Sequence, residues 1–179
     1  VAGLEHLEQR GVIDPSRVGV VGWSYGGQLT NYLITRTDRF AAAVSGASIS
    51  DGFSAYGVDD VQRWWERELG LPWEAAAREL YERLSPVREV AEIEAPTLFV
   101  VGGNDLRVPA SQTEQIYQQL RRRMLDGGPT TTLVVYPDEF HVPKRPSFEL
   151  DFYARTRAWM DRFVLGDADA DPWFGDRAW

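Results

Sequence analysis

The fold is decided by the stretch Val18-Gly19-Val20-Val21-Gly22-Trp23-Ser24-Tyr25-Gly26-Gly27. A β-branched apolar run leads directly into the pattern Gly-x-Ser-x-Gly, and a helix-like stretch, Gly26 to Arg36, follows it. A strand, a sharp turn and a helix in this order hold a serine hydroxyl at the end of the strand, as a nucleophile requires. We expect only glycine to fit on either side of Ser24, and we expect the Tyr25 amide to point at a developing oxyanion. The alternative is a glycine-rich turn with an idle serine.

Two further residues follow in the required order of serine, acid and histidine. Asp105 ends the turn Gly102-Gly103-Asn104-Asp105 after the apolar run that ends at Val101, and His141 lies in the loop after a second such run. The chain has two histidines, and His6 precedes the serine, so His141 is the plausible base. We expect His141 to take the proton of Ser24 while Asp105 fixes the imidazole tautomer. A turn aspartate that binds local amides, and a solvated histidine, are the alternatives.

Hydrophobic runs and helical spacing predict an α/β fold with about four parallel strands and helices on both faces. The predicted strands are Arg17–Val21, Phe40–Val44, Thr97–Val101 and Thr131–Tyr136. The predicted helices cover 2–10, 26–36 and 149–165, and another begins at a capping box of Ser111 and Glu114. We expect one domain over 1–165 and an acidic, aromatic tail over 166–179. Aromatic residues of that tail are expected to dock on the domain or on a neighbour.

Residues 11–27 resemble the prolyl oligopeptidase family of serine peptidases, and most of all its acylaminoacyl-peptidase branch. The stretch Asn104-Asp105-Leu106-Arg107-Val108-Pro109 and the loop from Tyr136 to His141 also fit, and the similarity runs from Val12 to Leu165. The pattern departs at Phe140 and Val142, since family members usually carry glycine beside the histidine. The resemblance implies the C-terminal half of an α/β-hydrolase domain, without the N-terminal strands and the β-propeller that such enzymes carry.

The same resemblance implies that the serine-bearing strand is central in the complete fold. In this chain Val18 to Val21 would then have a bare apolar edge. We expect a missing N-terminal portion of the enzyme, on the same or a separate chain, or a second copy in a homo-oligomer, to cover it. The second oxyanion donor normally comes from an earlier loop, and the sequence offers no residue for it.

Residues 49–84 form a helical and irregular excursion rich in aromatic side chains. In the family that the chain resembles, this region contributes to the specificity pocket. We therefore predict that Phe53, Tyr56, Trp64 and Trp65 bind an apolar side chain of the substrate. Because Trp64 and Trp65 are adjacent, they cannot both face one side of a helix. The alternative is one core tryptophan and one surface tryptophan.

Composition excludes several function classes. The net charge is −8, which argues against nucleic-acid binding. There is no cysteine, so disulfides and thiolate metal sites are excluded. We expect no cofactor, no metal and no membrane span, and a cytoplasmic location, since no apolar run is long enough to cross a bilayer and no signal peptide is visible.

The sequence thus predicts a serine peptidase that hydrolyses short or N-acylated peptides through an acyl-enzyme on Ser24. A carboxylesterase of the same fold is the first alternative, because triad chemistry alone does not separate esters from peptides. A catalytically silent fragment that needs a partner segment is the second.

Overall fold

A four-stranded parallel sheet forms the centre of the molecule. The structure, a computed structural model, describes residues 1–173. The strands are β1 (Gly19–Trp23), β2 (Ala42–Gly46), β3 (Thr97–Gly102) and β4 (Thr131–Tyr136). They lie in the order β1-β2-β3-β4, and each pairs with its neighbour in parallel. The predicted α/β class is confirmed, and the first two strands end two residues later than predicted.

Seven α-helices and a 3₁₀ helix are found in the described chain. The α-helices are α1 (Ala2–Gln9), α2 (Tyr25–Ile34), α3 (Gly52–Val58), α4 (Gln62–Leu69), α5 (Ala75–Arg83), α6 (Ala110–Leu125) and α7 (Pro146–Phe163), and the 3₁₀ helix is Pro86–Glu92. Helices therefore account for most of the chain outside the sheet.

Alternation along the strands gives the sheet two buried faces. On one face Phe99 packs with Ile34 of α2 and Ile116 of α6. On the other face Leu98 and its neighbours pack against Trp159 of α7. Helices thus cover both faces, as a parallel sheet requires.

The excursion between β2 and β3 builds a third apolar cluster. Its helices α3, α4 and α5 place Trp65 and Tyr81 in the centre of that cluster, and Val108 packs there too. Because Val108 lies in the loop that leaves the end of β3, the excursion packs against the end of the sheet where the parallel strands finish. This is the end at which sites form in open α/β sheets.

The predicted capping box is wrong. Helix α6 begins at Ala110, its N-cap residue is Pro109, and no side chain caps it. The fixed φ of proline and an extended ψ of 142° at Pro109 let the helix begin immediately after it. Ser111 therefore lies inside the first turn, where it cannot act as the N-cap partner of Glu114.

The predicted free edge of the serine-bearing strand is present in the structure. Strand β1 lies at an edge of the sheet and pairs with β2 alone within residues 1–173, and Val21 is 53% exposed there.

In the tail, the ring of Trp173 contacts Trp159 and lies under the Arg162 guanidinium, so this part docks on α7. The other tail aromatics, Phe174 and Trp179, lie outside the described residues.

Candidate active site

Ser24 occupies the turn between β1 and α2 in a rare backbone conformation. Its φ is 60° and its ψ is −122°, a combination that costs a non-glycine residue about 1–3 kcal/mol. The Ser24 amide donates a hydrogen bond to the carbonyl of Gly46 on β2, at 2.9 Å. A strained conformation of this kind persists only where the surrounding structure holds it, and such conformations cluster at active sites. The turn therefore presents the Ser24 hydroxyl at the carboxyl end of the sheet.

The tight turn needs glycine on one side of the serine only. A Cβ at Gly22 would lie 2.0 Å from the carbonyl oxygen of Gly26, so no larger residue fits. A Cβ at Gly26 would meet nothing within 4 Å in the described part of the chain. The expectation that both neighbours must be glycine is thus right for Gly22 and wrong for Gly26, because Gly26 already lies in the first turn of α2.

Three side chains from distant parts of the chain meet at this turn. The His141 Nε2 atom lies 2.8 Å from Ser24 Oγ, and His141 Nδ1 lies 2.8 Å from Asp105 Oδ2. The Asp105 side chain is fully buried, whereas that of His141 is 26% exposed. A hydroxyl, an imidazole and a carboxylate in hydrogen-bonded order can activate the hydroxyl as a nucleophile and stabilise the imidazolium that forms.

Asp105 serves its own turn as well as the histidine. Its Oδ1 atom accepts hydrogen bonds from the amides of Arg107 and Val108, each at 2.9 Å. Both interpretations of this aspartate, the local turn and the partner of His141, therefore describe the same carboxylate.

The amide of Tyr25 is the first of helix α2. The first amides of an α-helix have no partner within the helix, and they carry its positive end. They form a suitable place for an oxyanion on a carbonyl that Ser24 attacks.

A cavity of about 210 Å³ opens beside Ser24. Its wall is mostly apolar and includes Ile49, Val108, and both Trp64 and Trp65. Trp65 is 1% exposed and donates its indole N–H to Asp59, while Trp64 is 42% exposed. One tryptophan is thus a core residue and the other a surface residue, and both reach the cavity.

Phe53 and Tyr56 do not line this cavity. Their rings pack on Tyr81, within the cluster of the excursion. Residue Tyr56 also donates its hydroxyl to Glu66, at 3.0 Å. Both residues therefore lie behind the cavity wall, where they support α4 and α5.

Several residues of the wall were not predicted. Gln28 lies one helical turn after Ser24, and Val108 lies three residues after Asp105, so their spacing from the triad could have marked them. Ile49 and Val61 carry no such signal, because tertiary packing brings them to the cavity.

An ion pair lies at the rim. The Arg107 side chain lines the cavity, and its Nε atom is 2.5 Å from Asp60 Oδ1. The hydrogen bond from Arg107 lowers the pKa of the Asp60 carboxyl.

Within the described chain no cluster of three or more metal-ligating side chains occurs. A search of the same residues finds no helix that could cross a membrane.

The parallel sheet, the turn at Ser24 and the aligned Asp105 and His141 define an α/β-hydrolase with a serine, histidine and aspartate site. Residues 1–166 match the prolyl oligopeptidase family, and the chain belongs to that family.

The chain is similar to named enzymes and peptidases. An acylamino-acid-releasing enzyme of Arabidopsis thaliana is 28% identical over 168 residues, which cover 89% of this chain and 22% of that enzyme. The uncharacterized peptidase YuxL of Bacillus subtilis is 38% identical over 132 residues, which cover 72% of this chain and 19% of that protein. Among solved structures, the acylaminoacyl peptidase of Pyrococcus horikoshii superposes with a TM-score of 0.81 at 25% identity, covering 94% of this chain and 27% of that one. The chain thus spans about a quarter or less of the length of these relatives.

Proposed function

We propose that this chain carries the catalytic site of a serine peptidase that hydrolyses short or N-acylated peptides through an acyl-enzyme on Ser24. The observation that carries the proposal is the hydrogen-bonded line from Asp105 through His141 to Ser24, beside an apolar cavity. The names of the acylamino-acid-releasing relatives support the substrate class.

The first half of the reaction forms the acyl-enzyme. Ser24 Oγ attacks the scissile carbonyl carbon while His141 Nε2 takes the hydroxyl proton, and the carbonyl oxygen becomes an oxyanion beside the Tyr25 amide. The C–N bond then breaks, and His141 gives the proton to the departing amine. The buried carboxylate of Asp105 stabilises the imidazolium throughout, without accepting its proton.

Water completes the cycle. His141 takes a proton from a water molecule, and the resulting hydroxide attacks the ester carbon of the acyl-enzyme. The bond from that carbon to Ser24 Oγ breaks, the carboxylic acid leaves, and Ser24 recovers its proton from His141. The proton that Ser24 loses leaves with the amine, and the proton that it regains comes from water, so one water molecule is consumed and both Ser24 and His141 end in their starting states.

The cavity supports a preference for an apolar residue before the scissile bond. It adjoins Ser24 directly, and its wall of Ile49, Val108 and two tryptophans removes apolar surface from water. Because Trp64 is partly exposed at the mouth, we expect it to contact the substrate side chain more directly than the buried Trp65.

We further infer that the complete active protein pairs another strand with β1. The free edge of that strand and the exposed Val21 side chain favour such a partner segment. The same segment would also bring the second oxyanion donor, since the earlier loops of this fold supply it.

Kinetic comparison of peptides with esters tests the proposal. In the full-length protein, we expect acetyl-Phe anilides and short acetylated peptides to be hydrolysed, with acetyl-Phe preferred over acetyl-Ala. Simple p-nitrophenyl esters should also react, because their leaving group needs no protonation. Turnover of esters of increasing chain length without any turnover of anilides or peptides would show a carboxylesterase instead.

A further inference from the structure

Trp23, the residue directly before the nucleophile, contacts the backbone of the histidine. The Trp23 indole N–H donates a hydrogen bond to the His141 carbonyl oxygen, at 2.8 Å. This bond joins residues that are 118 positions apart in the chain. The strand that presents Ser24 thus also holds the residue that carries the base.

The indole of Trp23 is itself held on both sides. A Cβ at Gly46 would lie 2.1 Å from the Trp23 ring, so the ring lies directly against the β2 backbone. On another side the ring meets Phe152 of α7 edge-on, with 5.3 Å between the ring centroids. The β2 backbone under the ring therefore sets the direction of the donor, and Phe152 adds packing at the edge of the ring without setting that direction.

A second contact holds the far end of the same loop. The Glu139 carboxylate is almost fully buried and accepts a hydrogen bond from the Lys144 amide at 2.6 Å, with the Arg145 amide at 3.4 Å. The Glu139 carbonyl also accepts the amide of Asn104, at 2.8 Å. Backbone contacts on both sides of His141 thus keep the loop in place.

The two neighbours of His141 have more than half of their surface in solvent. Phe140 and Val142 are each 56% exposed. Since no glycine flanks the histidine, its backbone cannot rely on the conformational freedom that glycine gives. The position of the imidazole therefore depends on the bonds that reach His141 and Glu139 from other elements.

We propose that Trp23 is a positioning residue for the reaction. Its indole N–H holds the His141 backbone in the position at which Nδ1 contacts Asp105 and Nε2 contacts Ser24. The Glu139 carboxylate supports the same loop through the residues that follow His141. This inference rests on the proposed function, since it concerns the geometry of that triad. Small displacements matter here, because misplacing a reacting group by about 1 Å can cost about 100-fold in rate.

The test compares two substitutions that affect the same indole. Trp23→Phe removes the N–H donor but keeps a ring against Gly46, whereas Phe152→Leu disturbs the packing and keeps the donor. Both variants are made in the full-length protein and compared with the parent by three measurements. These are kcat and KM on a p-nitrophenyl ester, the rate of covalent labelling by a fluorophosphonate, and the low-field proton NMR resonance of the His141–Asp105 hydrogen bond.

For Trp23→Phe we expect kcat and the labelling rate to fall together by about 10- to 100-fold with KM nearly unchanged. The low-field resonance should broaden or disappear, because the imidazole no longer holds one position. Phe152→Leu should lower the melting temperature and leave kcat within about 3-fold of the parent, as expected for a loss of packing alone.

The inference is overturned if Trp23→Phe keeps the kcat of the parent, or if Phe152→Leu loses as much kcat as Trp23→Phe. Should Trp23→Phe fail to fold, Glu139→Gln tests the other support. It weakens a charge-assisted acceptor without changing the shape, so kcat should fall by about 10-fold, and an unchanged kcat would overturn the inference. A parent protein that is never labelled contradicts the proposed function itself, whereas equal labelling of the parent and Trp23→Phe contradicts only the positioning role.

Discussion

Asp105 divides its carboxylate between His141 and its own turn: Oδ2 pairs with the imidazole at 2.8 Å, while Oδ1 accepts two backbone amides. The orientation of the acid is thus set by the loop after β3 before any substrate arrives. A carboxylate fixed in this way can hold one imidazole tautomer, the one whose Nε2 accepts the serine proton.

Asp105→Asn should separate this electrostatic role from the structural one. The introduced carboxamide can keep its oxygen on the amides of Arg107 and Val108, so the turn should survive. Its NH₂ group then faces His141 Nδ1 and stabilises the wrong tautomer, so we expect kcat to fall by about 10⁴-fold. Steady-state kinetics and urea unfolding measure the two effects, with the exposed Asp138→Asn as the control. Loss of less than about 10-fold in kcat would show that Asp105 is only a turn residue.

Trp64 and Trp65 should respond differently to truncation. Trp65→Ala removes a side chain that is 1% exposed, so the free energy of unfolding should drop by about 3–5 kcal/mol. Trp64→Ala should cost less than about 1 kcal/mol, yet reduce the preference for acetyl-Phe over acetyl-Ala anilides by about 10-fold.

The exposed Trp73, which does not line the cavity, provides the matched control. Trp73→Ala should leave the ratio of the two kcat/KM values unchanged. If Trp64→Ala leaves that ratio unchanged as well, then this cavity does not receive the substrate side chain.

Tyr136 gives the fold a specific alkaline sensitivity. Burial, followed by the nearby Asp151 carboxylate, raises the pKa of the Tyr136 phenol well above its ordinary value, and the hydroxyl donates to Asp151 at 2.9 Å. Because the folded-state pKa is raised, stability is fully present below the unfolded pKa of about 10 and is lost as pH rises above it.

Urea unfolding between about pH 8 and pH 11 measures this contribution. Above about pH 10, the raised pKa of Tyr136 should lower the free energy of unfolding of the parent by up to about 1.4 kcal/mol per pH unit. Tyr136→Phe should lack this pH-dependent loss. The stability difference between the parent and that variant should therefore shrink as pH rises. Tyr153→Phe, at a 60% exposed position, should follow the parent, and an equal slope in all three proteins would refute the assignment.

The sheet and the triad could be predicted because their signals are local in sequence. Each strand is a short apolar run, and Ser24, Asp105 and His141 each lie in the turn or loop after one, so parallel pairing brings them to one edge. The bounds of the short helices α3 to α5 could not be predicted, since helices of seven to nine residues depend on tertiary packing rather than on propensity.

The cavity was only partly predictable for the same reason. Aromatic content marked Trp64 and Trp65, but it marked Phe53 and Tyr56 equally, and composition does not distinguish a cavity wall from the layer behind it. The hydrogen bond from Trp23 to His141 has no sequence signal, because it depends on where the end of β1 meets the distant loop after β4.

Covalent labelling of Ser24 tests the central claim most directly. A fluorophosphonate reacts with a serine only where a base and an oxyanion site activate the hydroxyl. In the full-length protein we predict one adduct per chain, found on Ser24 by peptide mass spectrometry, and a loss of hydrolysis on the order of 10⁶-fold in Ser24→Ala. Labelling at another residue, or more than about a tenth of the parent activity in Ser24→Ala, would contradict the account.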